Sequence, residues 1–93
     1  MIKKDYVYFK RANQSFVLPI NFENGLKVTF QSVWWSSIKF TTDVIQTGTD
    51  TTIFLDTAET TDFDGVFTYE VYRELTNDER EILQYGRLYE KDT

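Results

Sequence analysis

The stretch that decides the fold is FDGVFTYEVYREL, residues 63–75. Its Asp64-Gly65 pair is typical of a tight turn, because glycine adopts positive φ without steric cost. Apolar side chains then recur at every second residue, at Phe67, Tyr69 and Val71. A period of two predicts a strand with one buried face, and here that face is mainly aromatic.

Similar alternation runs through most of the chain, whose 93 residues are enough for one domain. It is clearest in residues 26–31, where the apolar set is predicted to face inward and the polar set outward: Leu26, Val28 and Phe30 against Lys27, Thr29 and Gln31. Other short strands are predicted in the segments DYVYFKR, SFVLPI, VWWSSIKF, DVIQ and TTIFL. Pro19 lacks an amide hydrogen, so SFVLPI is expected to be an edge strand or to end there.

Seven to eight short strands at this spacing predict an all-β fold, either a β-sandwich or a small barrel. We favour a single β-sandwich domain over residues 1–93. In the segment DYVYFKR, Val7 and Phe9 share one face of the strand, and Tyr6, Tyr8 and Lys10 share the other. Tyr6 and Tyr8 are taken as exposed side chains.

The segment after residue 75, TNDEREILQYGRLYEKDT, has two possible structures. Thr76 and Glu79 have capping-box spacing, so a short helix closed by Gly86 is one of them. The other is a turn over residues 76–79 and then a strand with Ile82 and Gln84 on one face, followed by a bulge at Gly86. We favour the strand, because a lone short helix among strands would be marginally stable.

The composition excludes several classes of function. The chain has no cysteine and no histidine, which rules out thiolate chemistry and removes the commonest general base and metal ligand. No Ser-His-Asp, phosphate-loop or dinucleotide pattern is present, so we predict no catalytic residue and no cofactor. A net charge of −5 argues against nucleic acid, and the lack of a long apolar run argues against a signal peptide or a membrane span.

Carboxylates cluster in the segment DTAETTDFDG, residues 56–65, at Asp56, Glu59, Asp62 and Asp64. Oxygen-rich loops can bind calcium, and the spacing from Thr60 to Gly65 is similar to the start of an EF-hand loop. The twelfth position of that pattern is Val71 rather than a glutamate. We therefore predict a solvated acidic connection and no metal site.

The adjacent Trp34 and Trp35 would point to opposite faces of a strand. The Trp34 side is the more apolar, since it includes Ile38 and Phe40, so Trp34 is predicted in the core and Trp35 on the outer face. An exposed indole can lie in a protein interface, stack on a sugar or lie under a loop. Trp35, Tyr6 and Tyr8 are the candidate partner-binding residues.

A tryptophan on a middle strand, followed much later by Gly65-Val66-Phe67-Thr68-Tyr69, resembles the skeleton of an immunoglobulin-like sandwich. In that resemblance Phe67 stands where such domains often have a corner tyrosine, and Tyr69 where antibody domains have their second cysteine. Phe67 has no hydroxyl group for the corner hydrogen bond, and there is no cysteine for a disulfide. The resemblance therefore implies the architecture and excludes an antibody-type domain.

Residues 62–91 are similar to the closing hairpin of small β-sandwich modules in virion proteins of tailed phages. Those modules end with a Gly-x-aromatic-x-Tyr strand, a polar turn, an apolar pair and Gly-x-hydrophobic; the last two are Ile82-Leu83 and Gly86-Arg87-Leu88 in this chain. The resemblance implies a capsid decoration protein or a baseplate or tail adaptor.

From this resemblance we expect a non-catalytic auxiliary (decoration) protein of the capsid, synthesised in the host cytoplasm, with a tail or baseplate adaptor as the alternative. It would attach to other virion proteins through exposed aromatic side chains and edge strands, and it could form a small homo-oligomer. Neither nucleic acid nor a membrane is expected as a partner. The alternatives are a small carbohydrate-binding module and an acidic inhibitor that masks a basic surface.

Overall fold

The computed structural model describes residues 1–19, 25–35 and 39–91, and this part of the chain contains nine strands and one short α-helix. In chain order they are β1 (Ile2–Lys3), β2 (Tyr6–Tyr8), β3 (Gln14–Val17), β4 (Leu26–Ser32), β5 (Lys39–Asp43), β6 (Ile45–Thr47), β7 (Asp50–Leu55), α1 (Thr57–Asp62), β8 (Phe67–Glu74) and β9 (Arg80–Glu90). A single 3-10 turn, Thr76–Asp78, joins β8 to β9.

The strands form two sheets that enclose one core. The larger sheet has the order β1-β9-β8-β4-β5, with β2 also paired to β9, and the smaller sheet has the order β3-β7-β6. Both β1 and β2 run parallel to β9, while the other pairings are antiparallel. This is the strand order of an immunoglobulin-like sandwich, with β9-β8-β4-β5 as one sheet and β3-β7-β6 as the other. The prediction of an all-β sandwich is confirmed.

Strand β4 supplies the centre of the core as its alternation predicted. Leu26, Val28 and Phe30 are all buried. Strand β3 is an edge strand that ends two residues before Pro19, which also agrees with the prediction.

Phe63 is the hub of an aromatic core. Its ring stacks on Phe67 with centroids 4.4 Å apart, and it meets Tyr8, Phe30 and Phe40 edge-on at 5.6 to 6.0 Å. Each such pair adds about 0.5–1.5 kcal/mol beyond the burial of area. The rings come from β2, β4, β5, β8 and the end of α1, so these five elements pack against one aromatic cluster.

The acidic segment predicted as a solvated connection contains helix α1, which is a correction. Asp56 caps the helix, since its Oδ1 accepts from the Glu59 N–H at 2.7 Å, and Glu59 Oε1 accepts from the Asp56 N–H at 3.0 Å. Thr60 is buried, and its hydroxyl oxygen accepts from the Ala12 N–H at 3.0 Å. A capping box satisfies two otherwise unpaired amides, which explains how six residues form a helix here.

The C-terminal segment is a strand, as favoured, but its bulge lies elsewhere. The register changes from Val71 opposite Gln84 to Tyr72 opposite Ile82, so Leu83 is the extra residue. Gly86 pairs regularly with Tyr69. A Cβ on Gly86 would overlap the Lys4 carbonyl group, which explains the glycine: the chain crosses it between β1 and β2.

The faces of β2 are grouped as predicted, but they point the opposite way. Tyr8 is completely buried and Tyr6 packs against the core, whereas Val7 is 49% exposed and Phe9 is 37% exposed. Both tyrosine hydroxyls find acceptors, at the Gly65 carbonyl for Tyr8 (2.8 Å) and the Val17 carbonyl for Tyr6 (3.3 Å). A buried tyrosine is stable when its hydroxyl is satisfied, so the prediction that these two rings are exposed was wrong.

Candidate functional site

Among the described residues, the most exposed aromatic side chains follow the end of β4. Ser32, the last residue of β4, accepts through its Oγ from the N–H groups of Trp34 (3.2 Å) and Trp35 (3.0 Å). The Val33 N–H donates to the Val66 carbonyl at 3.0 Å. These three bonds hold the loop in a bend beside the turn that precedes β8.

Trp34 is 61% exposed and Trp35 is 47% exposed, and Val33 beside them is also exposed. The two indoles meet edge to face, with centroids 5.8 Å apart and ring planes at 84°. We call Val33, Trp34 and Trp35 the Trp surface. The prediction that Trp34 lies in the core was wrong, while Trp35 is exposed as expected.

The reason for this error is where β4 ends. Strand alternation assigns faces only within a strand, and β4 stops at Ser32, before either tryptophan. The core ring on β4 is Phe30 instead. Of the two residues grouped with Trp34, Phe40 packs against the core, and Ile38 lies outside the described residues.

Trp34 rests on Gly65, which has a φ of +75°. A Cβ at that position would overlap the six-membered ring of Trp34. The glycine is therefore needed twice, for the left-handed backbone and for the close approach of the indole. The sequence contains a signal for this, because Asp64-Gly65 is typical of a tight turn, but nothing local connects this turn to Trp34.

The structure does not bring Tyr8 to the Trp surface but places it beneath the same turn. The Tyr8 hydroxyl donates to the Gly65 carbonyl, and the Gly65 N–H donates to Glu90 Oε1 at 3.3 Å. Burial raises the pKa of Tyr8, and the Glu90 carboxylate adds to the increase. Tyr8 thus supplies, at the Gly65 turn, a hydroxyl group that Phe67 lacks.

Tyr6 belongs to a partly buried polar network. Gln84 Nε2 donates to the hydroxyl oxygens of Tyr6 (3.1 Å) and Tyr69 (3.0 Å). The Tyr69 hydroxyl donates to the Lys4 carbonyl, and that of Tyr6 to the Val17 carbonyl, so the network links both sheets. Burial raises the pKa of Tyr6 and of Tyr69, and the Gln84 bond partly offsets this rise. These tyrosines are structural and are held in their neutral form.

The acidic side chains in the described part of the chain do not meet the requirements of a metal site. Within residues 1–19, 25–35 and 39–91 no three histidine, cysteine, aspartate or glutamate side chains are grouped so that they could hold an ion. Asp56 and Glu59 cap helix α1, and Asp64 lies 3.6 Å from the Lys10 ammonium group. In the same ranges, no helix has the length and apolar character needed to cross a membrane.

Comparison of the chain with protein-family models, with curated proteins and with solved structures finds no match in any of the three. Function is therefore inferred from the chemistry of the surface.

Proposed function

We propose that the protein is a non-catalytic binding protein of a tailed-phage particle, as an auxiliary (decoration) protein of the capsid. It attaches to another virion protein through the Trp surface. The observation that carries this proposal is the pair of exposed indoles on a loop whose backbone is fixed by hydrogen bonds.

Exposed tryptophans contribute strongly to protein interfaces. Binding energy concentrates in a few Trp, Tyr and Arg side chains that become fully buried near the centre of a contact. Covering the remaining surface of one half-exposed indole is worth on the order of 2 kcal/mol at about 25 cal/mol per Å². Because Ser32 and Val66 already hold the loop, little conformational entropy is lost on association.

The setting in a virion is supported by the resemblance of residues 62–91 to the closing hairpin of phage sandwich modules. This stretch includes all of β8 and β9, from Phe67 to Glu90. The chain carries a net charge of −5, and this would keep the free protein dispersed before assembly. The same features would serve a baseplate or tail adaptor, and the identity of the captured partner distinguishes the two.

The test is a pull-down from a lysate of the native source at low and at moderate salt. The wild type is compared with the double variant Trp34→Ala/Trp35→Ala. The matched control is Phe54→Ala, which removes another partly exposed aromatic ring, on β7 of the smaller sheet. All three proteins should give the same circular dichroism spectrum.

We expect the wild type and Phe54→Ala to recover a virion structural protein at both salt concentrations, and the double variant to recover none. Apolar contact persists when salt screens exposed charge pairs. Equal recovery of the virion protein by the double variant would exclude the Trp surface as the attachment site. Loss of the partner from the wild type at moderate salt would instead support a charge-masking inhibitor.

A carbohydrate-binding module is the second candidate, because exposed indoles can also stack on sugar rings. The ring planes of Trp34 and Trp35 lie at 84° to each other, so they do not form one flat platform. Retention on a polysaccharide matrix, with quenching of tryptophan fluorescence by soluble oligosaccharide and no captured protein, would support this candidate over the virion role.

A further inference from the structure

A second interaction surface lies along β5, the strand at one edge of the larger sheet. We infer that this edge pairs with the same edge of a second copy of the chain. The two strands run antiparallel about a two-fold axis at Thr41, so that one sheet continues through a symmetric dimer. The edge contains no residue of the Trp surface, so the dimer and the proposed attachment to a virion protein can fail independently.

Strand β5 is the longest edge strand in the described part of the chain. It has five residues, whereas the other edge strands have two to four. Its sequence KFTTD includes one phenylalanine and two threonines, which favour extended backbone. Natural proteins often interrupt an edge with a proline or a bulge, but β5 has no proline and pairs with β4 without a register shift. Such a strand is well suited to pair with another strand.

The bonds between β4 and β5 show which backbone groups of β5 point to the open edge. The Val44 N–H donates to the Leu26 carbonyl at 3.0 Å, and the register repeats this pairing at Thr42 and Phe40. The alternate residues direct their N–H and C=O groups away from β4: Lys39, Thr41 and Asp43. No described strand pairs with this edge, so it offers three consecutive pairing positions.

Antiparallel pairing centred on Thr41 uses all three positions. Thr41 would lie opposite Thr41 of the second copy, and Lys39 opposite Asp43 of the second copy, because both lie two residues from the centre. Opposed residues whose backbone groups face each other exchange two hydrogen bonds, and the dimer has three such pairs. On the inner face, the partly buried Phe40 would lie opposite Thr42 of the second copy, and such aromatic and β-branched pairs stabilise a sheet.

The charges at the two ends of β5 favour this register. Lys39 and Asp43 are both exposed, and here each ammonium group lies opposite a carboxylate of the other copy. A centre at Lys39 or at Asp43 would instead place like charges opposite each other, which is unfavourable. Of the registers centred on these three edge residues, the one at Thr41 alone pairs opposite charges.

Both charges are available to a second copy. Lys27 is the register partner of Asp43, but its ammonium group pairs with Glu74 at 3.9 Å. Acidic side chains of α1 line a depression beside Lys39, yet no ion pair joins Lys39 to a described residue. The strand ends therefore carry one cation and one anion that a second copy can neutralise.

The first measurement is amide hydrogen exchange of the full chain, by nuclear magnetic resonance, at two protein concentrations. Two five-residue edges form a small interface, so we expect monomer at about 0.02 mM protein and dimer at about 1 mM. The amides of Lys39, Thr41 and Asp43 should exchange at least about twofold more slowly at the higher concentration. Those of Phe40 and Thr42 face β4, so their exchange should not change, and they serve as the internal control.

Charge substitutions test the register by sedimentation equilibrium. Lys39→Asp places carboxylates opposite each other at two positions of the dimer, and Asp43→Lys does the same with ammonium groups. Each should weaken dimerisation at least about tenfold. The matched control is Lys3→Asp, which makes the same change of net charge on the exposed side of β1 and should weaken it no more than about twofold. All variants should keep the wild-type circular dichroism spectrum.

A mixture of the two variants tests direct contact between the two charged positions. A Lys39→Asp chain and an Asp43→Lys chain have opposite charges at both facing pairs. The mixed dimer should therefore form at least about tenfold more tightly than the dimer of either variant alone. Damage to the fold by either substitution would not be repaired by the other chain.

Three results would overturn the inference. These are Thr41 amide exchange that is independent of protein concentration up to about 1 mM, dimerisation of Lys39→Asp as tight as that of the wild type, and a mixture that associates no more tightly than the separate variants. Protection of the Thr41 amide only after another protein is added would identify a different occupant, and this too would overturn it. The wild-type exchange measurement decides the inference even if a variant does not fold.

Discussion

Tyr8 and Trp34 lie on opposite sides of the same residue, Gly65. The Tyr8 hydroxyl reaches the Gly65 carbonyl from within the core, and the Trp34 ring covers Gly65 from outside. Tyr8 is completely buried, yet Trp34 is 61% exposed although it is the larger aromatic ring. The comparison shows that ring size does not decide burial here. Tyr8 is held in the core because its hydroxyl donates to the Gly65 carbonyl, which is distant in the chain. Trp34 lies outside the core because β4 ends at Ser32, before the tryptophan.

The largest expected effect is that of removing the inner ring. Tyr8→Ala should lower the free energy of unfolding by about 3–5 kcal/mol, because it opens a cavity beside Phe63 and Phe67 and removes a buried hydrogen bond. Trp34→Ala should lower it by less than about 1 kcal/mol, as expected for a mostly exposed side chain. Urea unfolding measures both. The opposite order of the two values would contradict the burial of Tyr8 and the exposure of Trp34.

The next largest effect on the free energy of unfolding is expected at Gly65, which lies between the two rings. Gly65→Ala should cost about 2 kcal/mol, part from its left-handed backbone and part from overlap of the new methyl group with Trp34. In a Trp34→Ala background the overlap is removed, so the cost should fall to about 1 kcal/mol. The difference between backgrounds, measured by urea unfolding in a double-mutant cycle, is the coupling between Gly65 and Trp34. A coupling of zero would show that the indole does not rest on Gly65.

The burial of Tyr8 also predicts that the stability of the protein falls at alkaline pH. Burial raises the pKa of Tyr8 in the folded protein, above the value near 10 of an unfolded chain. Its contribution to stability is therefore complete below pH 10 and is lost as the pH rises from there toward the folded pKa. The loss should approach about 1.4 kcal/mol per pH unit for this tyrosine, and Tyr6 and Tyr69 act in the same direction.

Unfolding by urea between pH 8 and pH 11 measures this slope, and absorbance at 295 nm reports tyrosine ionisation. The control is Tyr8→Phe, which keeps the ring without the ionisable group and should give a shallower fall. If the wild type and Tyr8→Phe have the same slope above pH 10, the Tyr8 hydroxyl is not held neutral by the fold.

Much of the fold could be predicted from local pattern, because β4 and β8 alternate over seven and eight residues. The two-residue period assigned Leu26, Val28 and Phe30 correctly, and the marginal stability of a lone short helix among strands favoured a strand for β9. Alternation groups the side chains of β2 but does not say which group faces inward. That choice depends on Gly65, a residue 57 positions from Tyr8 in the chain.

The candidate site could be predicted only in part. The double tryptophan indicates a candidate binding surface, and Trp35 is exposed as predicted, but the position of Trp34 depends on where β4 ends. Ser32 sets this end through two hydrogen bonds to the following backbone, a motif that serine favours locally. The capping box of Asp56 and Glu59 was also present in the sequence, yet the acidic composition of the segment suggested a loop instead.

The parallel pairing of β1 and β2 with β9 has a mechanical consequence. Tension applied between residues 1 and 91 would pull β9 and the first two strands in opposite directions along their common axis. The bonds from the Lys4 N–H to Tyr85 and from the Lys91 N–H to Tyr8 would then be loaded together in shear. Strands loaded in shear separate only when many bonds break at once, whereas a hairpin pulled from its open end unzips one bond at a time. The domain should therefore resist stretching along this direction.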